Sequence, residues 1–152
     1  MSAFGVDIDS AYVCVLDEAM SKEDALNRLL DLVCQSTSVT DAQAVRKAVF
    51  EREAVMSTGI GNGVAIPHVR IEGVSEPVIG VALCPKGVDF DAADRKPVRI
   101  IVLFAMPTGS HKQYLSLVAQ LMLSIKTPEF ARGLLACRSR EEATAFLNGS
   151  GA

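Results

Sequence analysis

Two apolar runs, residues 78–83 and 98–104, constrain this chain more than any other feature. The first reads Val78-Ile79-Gly80-Val81-Ala82-Leu83 and the second Val98-Arg99-Ile100-Ile101-Val102-Leu103-Phe104. A strand with one face in water alternates apolar and polar residues, whereas a nearly continuous apolar strand is covered on both faces. The cover has to come from helices, and helical patterns lie on both sides of the two runs in sequence. Ser21 with Asp24 three residues on caps a helix whose stripe is Ala25, Leu26, Leu29, Leu30 and Val33. Thr40 with Gln43 reads as the capping box of a second, with stripe Ala44, Val45, Ala48 and Val49 and an end near Met56. Ser110 with Gln113 opens a long third helix, its core face Tyr114, Leu115, Leu117, Val118, Leu121, Met122 and Ile125. Pro128 and Ser139 begin two shorter ones, the last backed by Ala143, Phe146 and Leu147. Residues 12–16 read as a further short strand and residues 1–11 as loosely held. Strands and helices interleave, so the expected architecture is α/β, with helices on both faces of one sheet.

At 152 residues, 49% of them hydrophobic, the chain is expected to form a single domain over 1–152 with a sizeable core. Its charges are scattered and sum to −3, which argues against a general nucleic-acid-binding surface. No apolar run is long enough to span a membrane, and the N-terminus has no basic segment followed by an apolar one, so a cytoplasmic, non-inserted protein is expected. The four cysteines, 14, 34, 84 and 137, sit in apolar contexts without a C-x-x-C spacing and read as buried free thiols. Asn148-Gly149-Ser150 matches a glycosylation sequon that carries no meaning without a secretory signal.

The candidate chemistry centres on Ser57-Thr58-Gly59-Ile60-Gly61-Asn62-Gly63-Val64-Ala65-Ile66-Pro67-His68. Alternating glycines allow positive φ and close backbone approach. Val64, Ala65 and Ile66 read as a brief buried strand, and Pro67 biases its neighbour to extended geometry, pre-setting where His68 points. A neutral imidazole held at a sheet rim is a good nucleophile near pH 7; the plainer alternative is a structural histidine. His111, the other of only two histidines, falls in the first turn of the third helix. The helix dipole there favours an anion, so it reads either as a phosphoryl-binding group or as an exposed first-turn residue. Arg52 stands near the end of the second helix, where it either bonds terminal carbonyls or clamps a phosphoryl group. Arg70 reads as solvated surface before it reads as an anion-docking group. Two histidines without clustered carboxylates or thiols make a poor metal site. The glycine loop is neither a Walker A motif nor a nucleophile elbow, and it lacks the strand-first context of a dinucleotide fingerprint. No carboxylate pair stands out for glycoside chemistry.

Arg52-Glu53 followed by the stretch from Ser57 to His68 resembles the signature of type 2 enzyme IIA domains. These belong to the bacterial phosphoenolpyruvate-dependent phosphotransferase system, in its fructose/mannitol and nitrogen-regulatory branches. A second block carries the same resemblance: Pro97 through Phe104, Pro107, then His111 with Leu115 and Leu117. The chain departs from the pattern at Asp94-Arg95-Lys96, where Asp-Gly is frequent, and at Lys112, where leucine is common. The resemblance implies a mixed, mostly parallel sheet flanked by helices on both faces. It implies that His68 accepts a phosphoryl group through Nε2 from the phosphocarrier HPr and passes it to an enzyme IIB of a sugar permease. It assigns His111 to orienting the phosphoryl group and Arg52 to offsetting its charge, with no cofactor or metal. The alternative within the resemblance is a nitrogen-regulatory protein whose phosphorylation state controls partner binding.

Overall fold

A computed structural model describes residues 3–149. Its strands are β1 (Val13–Val15), β2 (Gly59–Gly61), β3 (Val64–Ala65), β4 (His68–Arg70), β5 (Val78–Val88) and β6 (Val98–Met106). Its α-helices are α1 (Lys22–Val33), α2 (Ala42–Val55), α3 (His111–Ile125), α4 (Pro128–Leu135) and α5 (Arg140–Leu147). The strands form one open sheet in the order β1-β5-β6-β3-β2, with β4 also paired to β6. It is mixed: β1–β5, β3–β6 and β4–β6 are parallel, while β5–β6 and β2–β3 are antiparallel.

β5 and β6 are the two apolar runs, and both are buried almost throughout. Along β6 the side chains divide with period two, as pleated backbone requires. Ile101, Leu103 and Ala105 join the core under α1 and α2. Ile100, Val102, Phe104 and Met106 join the core under α3, α4 and α5. The sheet is thus the middle of three layers.

Several helix starts follow their local sequence. Ser21 Oγ accepts from the Asp24 N–H, Ser139 Oγ accepts from the Glu142 N–H, and Pro128 occupies the first turn of α4. Two do not. The cap of α2 is Asp41 rather than Thr40: its carboxylate accepts from the Ala44 N–H and its carbonyl takes the first helical bond, from the Val45 N–H, while the Thr40 and Asp41 N–H groups both donate to the Gly73 carbonyl. Ser110 does begin α3, but its hydroxyl donates to the Pro107 carbonyl instead of closing a capping box with Gln113. Leu115, expected on the core face of α3, is 51% exposed.

The N-terminal segment is also held more firmly than its sequence implies. Ala3, Phe4 and Ile8 are buried, and Phe4 meets Phe104 edge-on at 6.3 Å. The Ala3 N–H donates to the Leu147 carbonyl. Asn148 pairs with Ile8 through both its amide oxygen and its amide nitrogen. Burying one aromatic ring and satisfying the backbone around it outweighs the polar character of the segment.

β3 and β4 lie end to end along the same edge of β6. Val64 and Ala65 pair with Ile100 and Ile101, and His68, Val69 and Arg70 continue in step opposite Phe104, Ala105 and Met106. Pro67 separates the two strands without breaking the alignment, because its carbonyl still accepts from the Phe104 N–H at 3.0 Å. His68 is thereby delivered near the carboxyl ends of the parallel β4 and β6, beside the start of α3. Clefts in α/β sheets form at such ends.

Candidate functional site

The glycine-rich segment is a tight hairpin between β2 and β3, turning through Gly61, Asn62 and Gly63 with φ of +96°, +58° and +76°. The Asn62 N–H donates to the Asp94 carboxylate, and the Gly63 carbonyl accepts from the Arg99 and Ile100 N–H groups. Gly59 is needed for space: a Cβ there would lie 2.7 Å from the Ala92 Cβ. Beneath the hairpin, Glu53 is only 7% exposed. Its carboxylate accepts from the Thr58 N–H and hydroxyl and pairs with Lys22 Nζ at 2.6 Å. Lys22 also lies over the Phe90 ring at 4.8 Å, and Ser57 Oγ donates to the Phe90 carbonyl. The hairpin is therefore tied to α2 and α1 from below.

His68 is half-buried. Its Nδ1 lies 3.0 Å from the Ile66 carbonyl. A carbonyl can only accept, so Nδ1 carries the proton and Nε2 of the neutral ring keeps its lone pair. The ring lies against Tyr114 at 4.9 Å, and Tyr114 meets Phe104 edge-on at 5.5 Å, so the imidazole is packed on one side. Burial pushes the His68 pKa below the ordinary histidine value, and the Arg52 and Arg70 charges push the same way. The Ile66 hydrogen bond and Glu53 oppose them without reversing the direction. The net direction favours the neutral ring.

A cleft of about 410 Å³ opens beside it, lined by His68, His111, Arg52, Arg70, Tyr114 and Met106 among others. It contains two guanidinium groups and two imidazoles, and no carboxylate among the described residues. His111 is the first residue of α3, and Arg70 Nη1 donates to its Nδ1 at 2.5 Å. Arg52 Nη1 donates to the Met56 carbonyl at 2.9 Å, at the end of α2. Arg52 thus bonds a terminal carbonyl of its helix, the first of its two readings from the sequence, and it also lines the cleft. Chemically the arrangement offers a bare ring nitrogen in a positively charged recess, the surroundings a phosphoryl group needs. Among the described residues no three His, Cys, Asp or Glu side chains converge as metal ligands. No helix among them is long and apolar enough to cross a membrane.

The structure brings His68, His111 and Arg52 to one cleft. It corrects Arg70, whose guanidinium is exposed yet engaged with His111 rather than simply solvated. Two residues have roles that the sequence pattern does not announce, Tyr114 in the cleft and Glu53 beneath the hairpin. Tyr114 lies on the core face of α3, as its spacing predicts, and its ring also packs against the His68 imidazole. Glu53 continues the apolar stripe of Val45 and Val49, and a carboxylate at a core-facing position is a signal of a buried partner.

The profile of the family described as "Phosphoenolpyruvate-dependent sugar phosphotransferase system, EIIA 2" matches residues 8–150. The fructose-specific EIIA component of Haloferax volcanii is 33% identical over 121 residues, covering 80% of this chain and 79% of that protein. The nitrogen regulatory protein of Escherichia coli K12 is 38% identical over 126 residues, covering 80% of this chain and 75% of that protein. The crystal structure of nitrogen regulatory protein IIA-Ntr from Neisseria meningitidis superposes with a TM-score of 0.81 at 29% identity, covering 93% of this chain and 96% of that one.

Proposed function

The chain belongs to the type 2 enzyme IIA family of the phosphoenolpyruvate-dependent sugar phosphotransferase system, and on that footing we propose that His68 is its phosphoryl acceptor. The observation that carries this is the His68 ring, its Nδ1 proton held by the Ile66 carbonyl, in a cleft with His111 and two arginines. In the proposed reaction the Nε2 lone pair attacks the phosphorus of a phosphohistidine on HPr. The new N–P bond forms as the donor's N–P bond breaks, and the donor ring recovers the electron pair. The Nδ1 proton stays where it is, so the positive charge that develops on the His68 ring is shared with the Ile66 carbonyl. Arg52 and His111 face the phosphoryl oxygens and stabilise their charge, which is most of what phosphoryl transfer asks of a protein.

The second half-reaction runs the same way onto an enzyme IIB. Leu115 lies one turn along α3 from His111 on the same side, and both it and Met56, 68% exposed, offer apolar surface for a docking protein. A cytoplasmic location fits both exchanges. A second reading is favoured by the 38% identity to a nitrogen regulatory protein. In it the phosphoryl group on His68 switches partner binding and need not reach a sugar.

Incubation with phosphoenolpyruvate, enzyme I and HPr tests the common core. The wild type takes up acid-labile phosphate and His68→Ala takes up none; label on the alanine variant overturns the assignment. Loss of one oriented donor slows such reactions about a hundredfold, the effect expected of His111→Ala with the fold retained. Arg52→Ala slows transfer as well. Discharge of the label by a IIB protein separates the transport reading from the regulatory one.

A further inference from the structure

His68 and Arg70 are two residues apart on β4, so they project to the same side of the sheet. That is the side covered by α3. From there the Arg70 guanidinium reaches the first residue of the helix and donates from Nη1 to His111 Nδ1. A guanidinium has no lone pair to accept with, so Nδ1 of His111 must be the acceptor and its ring proton must sit on Nε2. His68 is the mirror case, since a carbonyl holds the proton on Nδ1. The chain's two histidines are thus held in opposite tautomers by two different partners.

We propose that Arg70 is a positioning residue for phosphoryl transfer: by occupying Nδ1 of His111 it makes Nε2–H the group that His111 presents to the phosphoryl oxygens. The inference rests on His68 being the acceptor. A phosphoryl group offers only hydrogen-bond acceptors to its surroundings. An imidazole free to exchange tautomers presents a lone pair to it part of the time, and a lone pair repels those oxygens. Arg70 removes that unproductive state before the phosphoryl group arrives, a form of electrostatic pre-organisation.

Arg70→Met tests this, since it keeps the side-chain stem, removes the donor and sits at an exposed position. Long-range 1H–15N correlation spectra of the unphosphorylated protein, at about pH 9 where ordinary histidines are neutral, report each ring's tautomer. In the wild type, His68 carries its proton on Nδ1 and His111 on Nε2. In the variant, the two ring nitrogens of His111 move toward each other as tautomers exchange, while those of His68 keep their pattern. Phosphoryl uptake slows about tenfold, the scale of one mispositioned acid–base group. In a His111→Ala background, adding Arg70→Met changes the rate less than about twofold, because the two residues act as a unit.

A wild-type His111 protonated on Nδ1 would overturn the proposal. So would His111 nitrogens that do not move in the variant, or rate effects that multiply independently. The spectra need neither HPr nor phosphoenolpyruvate. An unlabelled wild type would therefore strike the proposed function, whereas an unaltered His111 would strike this inference alone.

Discussion

Arg52 and Glu53 are consecutive on α2, yet they serve two regions built on opposite electrostatic plans. Beneath the glycine hairpin, Glu53 is buried and matched: Lys22 supplies the counter-charge and Thr58 two hydrogen bonds. In the cleft, Arg52 and Arg70 face a recess without a carboxylate in its lining. The first region neutralises its charge internally and so holds backbone in place. The second leaves its positive charge unmatched and so keeps affinity for an anion in reserve. The anchoring residue and the proposed phosphoryl-binding residue are separated by one residue step, about 100° around a helix.

Breaking the matched side carries the largest effect. Glu53→Ala strands Lys22 and the Thr58 donors, and the expected loss is about 3 kcal/mol, read as a lower urea midpoint with m unchanged. A loss below about 1 kcal/mol would mean the pair is not what anchors the hairpin. Gly59→Ala attacks the same anchorage sterically. With a Cβ forced against Ala92, about 2 kcal/mol of destabilisation is expected from overpacking. An equally stable alanine variant would show that the hairpin can shift at little cost.

A smaller effect sharpens the cleft side. The folded pKa of His68 lies below its unfolded value, so the unfolded chain binds the proton more readily. Its contribution to stability is whole above about pH 6.5 and is lost as pH falls from there through the folded value. Denaturation midpoints across that window should fall less steeply for His68→Ala than for the wild type. The smallest change in stability is expected at Arg52→Gln, within about 0.5 kcal/mol, since the residue is partly exposed and its charge unmatched. The same substitution removes a cation that lowers the His68 pKa, so the imidazole should titrate at higher pH by NMR. Large destabilisation without a shift in titration would reverse the roles assigned to the two neighbours.

Much of this was readable along the chain. The apolar runs became β5 and β6, covered on both faces, and the glycines, Pro67 and His68 made a hairpin and a strand in the order in which they are written. Where reading failed, two local solutions competed. Thr40 and Asp41 are both good caps, and the point where the chain enters the helix decided between them: the first helical bond runs from the Val45 N–H to the Asp41 carbonyl, after the Thr40 and Asp41 N–H groups have both been tied to the Gly73 carbonyl. Ser110 could close a capping box or turn back to Pro107, and the turn won. Tyr114 has a core-like position on its helix, and only the arrival of His68 from another element gives its ring a second use.

What the sequence determined by itself rests on interactions spanning a few residues: the starts of α1, α4 and α5, the period of the strands, the turn at Gly61 to Gly63, the extended bond before Pro67. Tertiary structure alone decided the burial of Phe4, the Lys22–Glu53 pair and the meeting of Arg52, His68, Arg70 and His111. Those side chains come from α2, β4 and the head of α3, and the two helices cover opposite faces of the sheet. They can converge only at an end of the sheet, where both layers and the strand edge are within reach. No local pattern encodes that convergence, because it depends on how whole layers pack.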